Sequence, residues 1–533
     1  MEKNAIILAA GKSSRFAPFT YEKPKGLFVV RGERLIERQI KQLKEAGVNE
    51  IYIVVGFMKE RYFYLEDKYD VCLISNNKFE NKGNLYSLFV ARKHMKNTYI
   101  CCADHYFVEN PFLAEKDYSY RACVWKKGCF NEFAIKKSDC EVITEVSIGG
   151  KNSFAMVGHA YFTEKFSKMF CEFLENEINE FRVADLFWEE FYAKHISELT
   201  LYACEFSDED ILEFESLDDL RRFDSEFLNN IDSSIVNNIC KYIGGKANEI
   251  DNIEVIQKGL TNVSFKFEMN DKTYVYRHPG NTSGNLVDRE AECYAQNKAK
   301  EIGIDKSIIY IDKSGWKISK FIDKTIDFDF KRDKAILQNA IDYIRKLHSV
   351  ECDANIKVFD TFAESEKLME IASKSKGNLF EEFSELYAKI EVINDYLKTD
   401  SIGSVVLSHN DVYEPNYLLT ENNELYLIDW EYAGLNDEAA DIACICCRSD
   451  YTEEEIKNMI STYLQREPDF KEYCHYLAYV ALTGWYWFCW GLYKGSVNDD
   501  DGFFFLPAYR SCKKYSPIVL KYIEELNKEK RKK

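Results

Sequence analysis

The chain has 533 residues, a formal net charge of -19 and a hydrophobic share of 46%, which favours two or three folded domains with ample apolar cores. The negative charge would repel a phosphate backbone or an anionic bilayer, so nucleic acid and membrane are not expected partners. No apolar run approaches the roughly 20 residues of a membrane span and no signal peptide is recognised, so a cytoplasmic location is expected.

The 17 cysteines are an odd number scattered along the chain. This distribution favours buried thiols in a reducing compartment over a disulfide framework. Cys444 and Cys447 form one CxxC pair. Without a second pair or a nearby histidine, we interpret them as core residues of a helix rather than as metal or redox ligands.

The N-terminal part alternates apolar strand-like runs with helical periodicity. Its predicted elements are the strands Ala5–Leu8, Ile51–Val55, Val71–Ile74 and Tyr99–Cys102 and the helices Leu35–Ala46 and Asn84–His94. This β-α-β order predicts an α/β domain in which helices cover both faces of a largely parallel sheet. An acidic, weakly apolar stretch over 207–233 ends the pattern, so we assign residues 1–229 to the first domain.

The C-terminal part follows a different pattern. Its predicted elements are the paired strands Ile253–Phe267 and Thr273–His278 around an Asn270-Asp271 turn, the helix Asp288–Ile302, and the short strands Ser404–Ser408 and Glu424–Ile428. The remainder beyond Asp333 is mostly helical. We therefore predict an α+β domain over residues 230–533.

A loop of small residues follows the first strand directly. The candidate nucleotide contacts in and after this loop are Ala10, Gly11, Lys12, Arg15 and Lys25. Glycine and small residues let backbone N–H groups approach phosphates closely, and the three cationic side chains would neutralise a triphosphate. The alternative is a solvated loop with ordinary surface lysines.

The segments LAAGKSSRF and EKPKGL resemble the signature of the sugar-phosphate and choline-phosphate nucleotidyltransferase superfamily, and among its branches the bacterial choline-phosphate cytidylyltransferases. The resemblance covers residues 1 to about 228 and implies a Rossmann-like mixed sheet that binds CTP, with Lys25 as a catalytic residue. It also implies a Mg²⁺ site formed by Asp104 and by Glu215 in the segment Glu213–Ser216. Glu215 is alternatively a carboxylate at the start of a helix.

The same resemblance implies a pocket for phosphocholine. A quaternary ammonium donates no hydrogen bond, so its recognition needs aromatic faces and a nearby carboxylate. The candidate rings are Tyr86, Phe133 and Trp188. Each of them is alternatively an ordinary core residue.

The strongest motif of the chain runs from Ser408 to Asn416. Asp411 precedes Asn416 by five residues and Asp429 by eighteen, and each segment follows a predicted strand. This spacing matches the HxDxxxxN catalytic loop and the metal-binding Asp of kinase-like phosphotransferases. In that match Asp411 accepts the proton of an alcohol, Asn416 and Asp429 bind Mg²⁺, and His409 braces the loop.

Upstream, the segments Gly259–Asn262 and Tyr274–Gly280 resemble the choline/ethanolamine kinase family, and the resemblance spans about residues 235–525. It implies a protein-kinase-like fold in which Arg277 contacts the ATP phosphates. Glu292 is the implied helix partner of Arg277, with Glu290 as the alternative.

The resemblance also implies a site for the choline ammonium. Trp487 and Trp490 lie on one face of a helix and are the implied cage, the alternative being an aromatic core helix. Arg448 stands near where some choline kinases carry an acidic residue for the cation. Asp441 is interpreted as an anchor of the catalytic loop rather than as a metal ligand.

Together the two motif sets indicate consecutive reactions on small molecules. Choline and ATP would give phosphocholine, and phosphocholine and CTP would give CDP-choline and pyrophosphate. The alternatives are the same two steps on ethanolamine or another amino alcohol, a half of the chain that is not catalytic, and activation of a sugar 1-phosphate. The sequence leaves the oligomeric state open.

Overall fold

The computed structural model describes residues 2–114, 116–258, 262–280, 286–352, 356–376, 382–496 and 505–532. The chain forms two compact units, residues 1–251 and 252–533. The segment 230–251, which the sequence analysis assigned to the second domain, packs with the first unit. Lys23 Nζ donates to the carbonyl of Ile231, and the Ser233 hydroxyl donates to Glu22. In the described residues no helix is long and apolar enough to cross a membrane.

The described strands of the first unit are β1 (Asn4–Ala9), β2 (Val29–Val30), β3 (Glu33–Arg34), β4 (Glu50–Val55), β5 (Cys72–Ser75), β6 (Thr98–Cys102), β7 (His105–Phe107), β8 (Tyr120–Lys137), β9 (Ile143–Phe162), β10 (Tyr202–Phe206) and β11 (Ile211–Glu213). Its described helices are α1 (Leu35–Glu45), α2 (Tyr64–Tyr69), α3 (Asn84–Ala91), α4 (Glu164–Glu177), α5 (Trp188–Lys194), α6 (Leu217–Phe223), α7 (Phe227–Asn230) and α8 (Ser234–Ile243).

A seven-stranded sheet in the order β10-β8-β9-β6-β1-β4-β5 forms the centre of the first unit. β1 is parallel to β4 and β6, whereas β9 is antiparallel to β6 and β8. Alternate residues of β1 enter two different apolar cores, one on each face of the sheet. Burial on both faces explains why this strand is apolar throughout. The Rossmann-like mixed sheet predicted for this part is confirmed.

The sheet brings the predicted site segments to one edge. In the parallel pair β1–β6, Leu8 lies opposite Cys102, so the loop after β1 and Asp104 emerge side by side. β11 then pairs with β7, and Glu213 lies opposite His105. This pairing brings the distant segment 213–215 next to Asp104.

The described strands of the second unit are β12 (Asp251–Lys258), β13 (Asn262–Met269), β14 (Lys272–Pro279), β15 (Ile308–Ile311), β16 (Lys317–Lys320), β17 (Thr325–Ile326), β18 (Val405–Ser408), β19 (Tyr417–Thr420), β20 (Leu425–Leu427) and β21 (Gly434–Asp437). Its described helices are α9 (Arg289–Glu301), α10 (Lys334–His348), α11 (Thr361–Lys376), α12 (Phe383–Thr399), α13 (Ala439–Arg448), α14 (Glu453–Leu464), α15 (Phe470–Ser496) and α16 (Phe505–Lys532).

A five-stranded sheet in the order β12-β13-β14-β16-β15 precedes the helical part. The β13–β14 hairpin turns at Asn270 and Asp271, whose φ angles of 53° and 56° are those of a type I′ turn. The predicted strand 253–267 is two strands, β12 and β13, and the predicted motif residues 259–261 lie outside the described residues. The sheet followed by a large helical core confirms the α+β, protein-kinase-like fold.

Cys444 and Cys447 lie in the core on α13, as predicted. Burial raises the pKa of the Cys447 thiol to about 12, so the thiolate is disfavoured.

Candidate active sites

The phosphate loop after β1 is open above its glycine. A Cβ placed on Gly11 would meet no atom within 4 Å, so the fold itself does not require glycine there. A backbone hydrogen bond fixes the start of the loop, because the N–H of Phe57, after β4, donates to the carbonyl of Ala10 at 3.0 Å. The side chain of Lys12 is paired with Glu80 at 2.6 Å. Backbone and open space at Gly11 together suit the close approach of a phosphate.

Lys25 connects the two predicted metal segments. Its Nζ lies 3.1 Å from Asp104 Oδ2 and donates to the carbonyl of Phe214 at 2.7 Å. Burial would raise the pKa of Asp104, but the charges of Lys25 and His105 outweigh it and lower that pKa to about 2. Asp104 is therefore an anion in the physiological range, held next to a buried cation.

Glu215 lies beside the phosphate loop. Its Oε2 is 3.9 Å from Arg15 Nη1, and its side chain is 54% exposed. The helix-start alternative is met by other residues, since Ser216 and Asp219 form a capping box at the start of α6. The Glu215 carboxylate is thus not needed as a cap.

Glu213 is a carboxylate that the sequence analysis did not select. Its Oε2 lies 3.4 Å from His105 Nε2. Burial would raise its pKa, but the hydrogen bond from His105 contributes to lowering it. The contact depends on the pairing of β7 with β11. Sequence periodicity does not reveal this pairing, so no pattern in the sequence predicted the contact.

Of the three aromatic residues predicted to contact phosphocholine, Trp188 is not available to a ligand. Trp188 is 2% exposed and packs in the core against Phe162, with ring centroids 5.5 Å apart, so its ring presents no face to a ligand. The exposed ring at this turn is Phe187, 50% exposed, whose centroid lies 6.0 Å from that of Phe133. Tyr86 is partly buried, with Lys78 Nζ 5.4 Å from its ring centroid.

Gly83 fixes the turn that carries Phe187. A Cβ on Gly83 would lie 2.1 Å from the carbonyl oxygen of Leu186 and 2.5 Å from that of Asp185. The Gly83 N–H donates to the carbonyl of Ala184 at 3.1 Å. The start of α3 can therefore approach this turn only because residue 83 has no side chain.

The catalytic loop of the second unit is anchored by Asp441. Its carboxylate accepts the backbone N–H groups of His409 at 2.9 Å and Asn410 at 2.7 Å. His409 Nε2 lies 3.0 Å from the carbonyl of Ile428, and its Nδ1 accepts the N–H of Asp411 at 3.3 Å. Burial lowers the pKa of His409, which keeps the ring neutral. These contacts have the bracing geometry expected for both residues.

Asp411 lies between an amide and a guanidinium. Asn416 Nδ2 donates to Asp411 Oδ2 at 2.9 Å, and Arg448 Nη2 donates to Oδ1 at 2.6 Å. Because Asn416 donates through its nitrogen, its amide oxygen points away from Asp411 and suits a cation. Burial raises the pKa of Asp411 to about 7, although the charge of Arg448 opposes this rise.

Asp429, the second predicted metal ligand of the kinase unit, lies next to a backbone contact with the catalytic loop. The N–H of Ile428 donates to the carbonyl of Asn416 at 2.9 Å, and Asp429 itself has a φ of 65°. In the described residues no group of three or more His, Cys, Asp or Glu forms a closed metal site. The predicted pairs Asp104 with Glu215 and Asn416 with Asp429 would each supply two oxygen ligands to Mg²⁺, which is usually held by one or two side chains together with substrate phosphates.

Arg277 and Glu292 form the predicted ion pair, with Arg277 Nη2 2.5 Å from Glu292 Oε1. The sequence analysis missed three further members of this network. Arg289 donates to Glu292 Oε2 at 2.8 Å, Lys317 lies 3.8 Å from Glu292, and Glu431 lies 3.5 Å from Arg277. The three cations thus face Glu292 and Glu431, and the charge of Asp429 also acts on Arg277 and Lys317.

The predicted rings Trp487 and Trp490 lie together, with centroids 5.8 Å apart. Trp487 is 3% exposed and belongs to the apolar core, as the alternative of an aromatic core helix expects, whereas Trp490 is partly buried. Tyr432, which sequence reasoning missed, completes the set. Its ring centroid lies 5.5 Å from that of Trp487, and its hydroxyl accepts a hydrogen bond from Trp490 Nε1 at 3.0 Å. Tyr432 lies three residues after Asp429 in the sequence, and this closeness to a predicted metal ligand could have indicated it.

Comparison with known proteins identifies relatives of both units. The model of the Choline/ethanolamine kinase family matches residues 253–507, and that of the MobA-like NTP transferase domain matches residues 5–116. The choline-phosphate cytidylyltransferase of Streptococcus pneumoniae is 33% identical over 226 residues, which are 42% of this chain and 98% of that protein.

Two further relatives match one unit each. The 2-aminoethylphosphonate cytidylyltransferase of Lancefieldella rimae is 33% identical over 237 residues, 42% of this chain and 93% of that protein. Protein LicA of Haemophilus influenzae is 25% identical over 258 residues, 46% of this chain and 93% of that protein.

Proposed function

The chain belongs to the choline-phosphate cytidylyltransferase family through its N-terminal unit and carries a choline/ethanolamine kinase domain behind it, and on this premise we propose that it makes CDP-choline in two steps. The kinase unit phosphorylates choline with ATP. The cytidylyltransferase unit joins phosphocholine to CTP and releases pyrophosphate. The product of the first reaction is the substrate of the second, which is the reason to expect both on one chain.

The observation that carries the kinase proposal is the placement of the Asp411–Asn416 pair. Asp411 accepts the proton of the choline hydroxyl while the oxygen attacks the γ-phosphorus and ADP leaves. Asn416 and Asp429 would hold Mg²⁺, which screens the charge of the phosphates. Arg277, kept in place by Glu292, contacts the nucleotide phosphates, and the rings of Tyr432, Trp487 and Trp490 receive the ammonium.

In the cytidylyltransferase unit, a phosphate oxygen of phosphocholine attacks the α-phosphorus of CTP. The loop at Gly11 and the side chains of Lys12 and Arg15 bind the triphosphate, and buried Lys25 offsets the charge that develops on the phosphate. Asp104 and Glu215 would hold a Mg²⁺ ion here. The rings of Phe133 and Phe187 receive the trimethylammonium group.

The deciding experiment is mass spectrometry of the products formed from ATP, CTP and Mg²⁺ with choline or with ethanolamine. Choline should give phosphocholine and then CDP-choline. Turnover of ethanolamine with no turnover of choline would replace choline as the substrate. Formation of phosphocholine without CDP-choline would remove the second half of the proposal.

Trp490 offers a test of the ring set. Trp490→Ala should raise the KM for choline more than the KM for ATP, because a cation over a ring contributes about 0.5 to 2 kcal/mol. Trp490→Phe keeps a ring and is the matched control, with an effect closer to wild type. Equal losses for choline and ATP would indicate core damage instead.

A further inference from the structure

Arg448 places a cation of the protein itself against the rings of the kinase pocket. It is the last residue of α13, and its side chain is 3% exposed. Its guanidinium carbon lies 3.5 Å from the ring centroid of Trp487 and 4.4 Å from that of Tyr413. These distances are those at which an aromatic face binds a cationic ligand.

The same guanidinium also donates a hydrogen bond to Asp411, the proposed proton acceptor. Arg448 Nη2 donates to Asp411 Oδ1, whereas Asn416 donates to Oδ2. Each carboxylate oxygen therefore accepts one of these hydrogen bonds and can accept another. An alcohol that donates its proton to Oδ1 shares this oxygen with Arg448, so a cationic alcohol brings its own charge close to the guanidinium.

We propose that Arg448 sets the head-group specificity of the kinase unit, as an internal cation that a cationic alcohol displaces from the face of Trp487. The inference rests on the proposed kinase function of this unit. Two like charges on one ring face repel each other in a buried site, where the dielectric constant is low.

The cost of displacement differs between alcohols. A trimethylammonium group donates no hydrogen bond and depends on ring faces, so choline needs the face of Trp487 that Arg448 covers. A primary ammonium donates up to three hydrogen bonds and depends mainly on acceptors, so ethanolamine loses less when that face is covered. Arg448 therefore weakens the use of choline more than the use of ethanolamine.

The test compares the wild-type chain with Arg448→Gln in the kinase reaction at saturating ATP. The KM for choline should fall about tenfold, the factor that corresponds to a ring–cation contact, and the KM for ethanolamine should fall by less. Arg466→Gln removes an exposed arginine paired with Glu472 and should change neither value. An unchanged preference between the two alcohols, or a lower kcat as the sole effect, would overturn the role of Arg448 in specificity.

Two further measurements keep the inference testable if Arg448→Gln does not fold. Arg448→Lys retains the charge as a more strongly hydrated point charge, so its KM for choline should lie below that of the wild type. A Lys variant with a higher KM for choline would contradict the inference.

Methylguanidinium should be a weak competitive inhibitor of the wild type against choline, because the face of Trp487 already holds a guanidinium. Strong competitive inhibition by methylguanidinium would also contradict the inference.

Activity of the wild-type chain distinguishes the role of Arg448 from the proposed kinase function. A wild-type chain that phosphorylates neither alcohol overturns the proposed kinase substrate and, with it, this role of Arg448. A wild-type chain that phosphorylates either of them, with the same preference in Arg448→Gln, overturns only the role of Arg448. Cytidylyl transfer from supplied phosphocholine should be equal in all these variants.

Discussion

Arg277 on β14 and Glu292 on α9 form a buried ion pair with an N–O distance of 2.5 Å. Burial alone would raise the pKa of Glu292, but Arg277 and the other nearby cations lower it. The sheet and the helix that flank the proposed phosphate site are therefore joined by charge. Loss of Arg277 leaves the buried Glu292 carboxylate with Arg289 and the more distant Lys317 as its remaining cationic partners.

Arg277→Ala should raise the KM for ATP and lower the stability of the kinase unit by about 1.5 to 3 kcal/mol, the contribution of a hydrogen bond to a charged group, because Arg289 still pairs with Glu292. Cytidylyl transfer from supplied phosphocholine should not change. Arg345→Ala, which removes a more exposed arginine paired with Asp342, is the control and should leave the KM for ATP unaltered. ATP kinetics equal to wild type in Arg277→Ala would exclude its phosphate contact.

Phe187 and Trp188 should respond oppositely to substitution. Phe187→Ala should raise the KM for phosphocholine with little change in stability, because its ring is half exposed. Trp188→Ala should destabilise the unit by about 3 to 5 kcal/mol, as for other buried rings. Steady-state kinetics and thermal unfolding of both variants measure the difference. A larger rise of the KM in Trp188→Phe than in Phe187→Ala would reverse this assignment.

The two reactions should be separable by single substitutions. Asp411→Asn should abolish formation of phosphocholine, and Asp104→Asn should abolish only its conversion to CDP-choline, because each change removes a carboxylate at constant volume. If phosphocholine is released, a mixture of the two variants restores CDP-choline from choline. A mixture that stays inactive, while each variant retains its other reaction, would indicate that the intermediate is not released.

His475 predicts a pH dependence of stability in the kinase unit. Its ring is 1% exposed, with Nδ1 3.1 Å from Asp400 and Nε2 3.0 Å from Asp437. Burial would lower its pKa, but Asp437 and Asp400 outweigh burial and raise it above the ordinary 6.5. The protonated ring therefore stabilises the fold fully below pH 6.5, and this contribution is lost as the pH rises through the folded-state pKa.

The comparison variant for this effect is His475→Gln. Below pH 6.5 it should be less stable than the wild type by about 3 kcal/mol, and the difference should shrink as the pH rises. Thermal inactivation of the kinase reaction across the pH range measures it. A difference that grows with pH would contradict the charged state of His475. Lys471 Nζ also lies 3.4 Å from Asp400 Oδ1.

Local patterns predicted the elements that a short stretch of sequence specifies. The apolar run of β1, the catalytic loop around Asp411 and the turn at Asn270 depend on neighbouring residues, and the structure has them at these positions. The relative position of two aromatic residues of the kinase unit was also predictable from a short stretch of sequence. Trp487 and Trp490 are three residues apart, and this spacing alone puts both on one helical face.

Contacts between distant segments were not predictable in the same way. Trp188 and Phe187 are adjacent in the sequence, and which ring is buried depends on how the turn meets α3 at Gly83. The contact of Glu213 with His105 depends on the pairing of β11 with β7. Periodicity describes one element at a time, so it does not state which neighbour an element receives.

The proposed phosphocholine site of the first unit contains residues that can be exchanged and one, Gly83, that cannot. Phe133 and Phe187 are partly exposed side chains, so their replacement would change the proposed site while leaving the backbone in place. Any side chain at position 83 would push the turn at 185–186 away. An engineer who wishes to direct this unit to a different phosphorylated alcohol should therefore vary the two rings and keep the glycine.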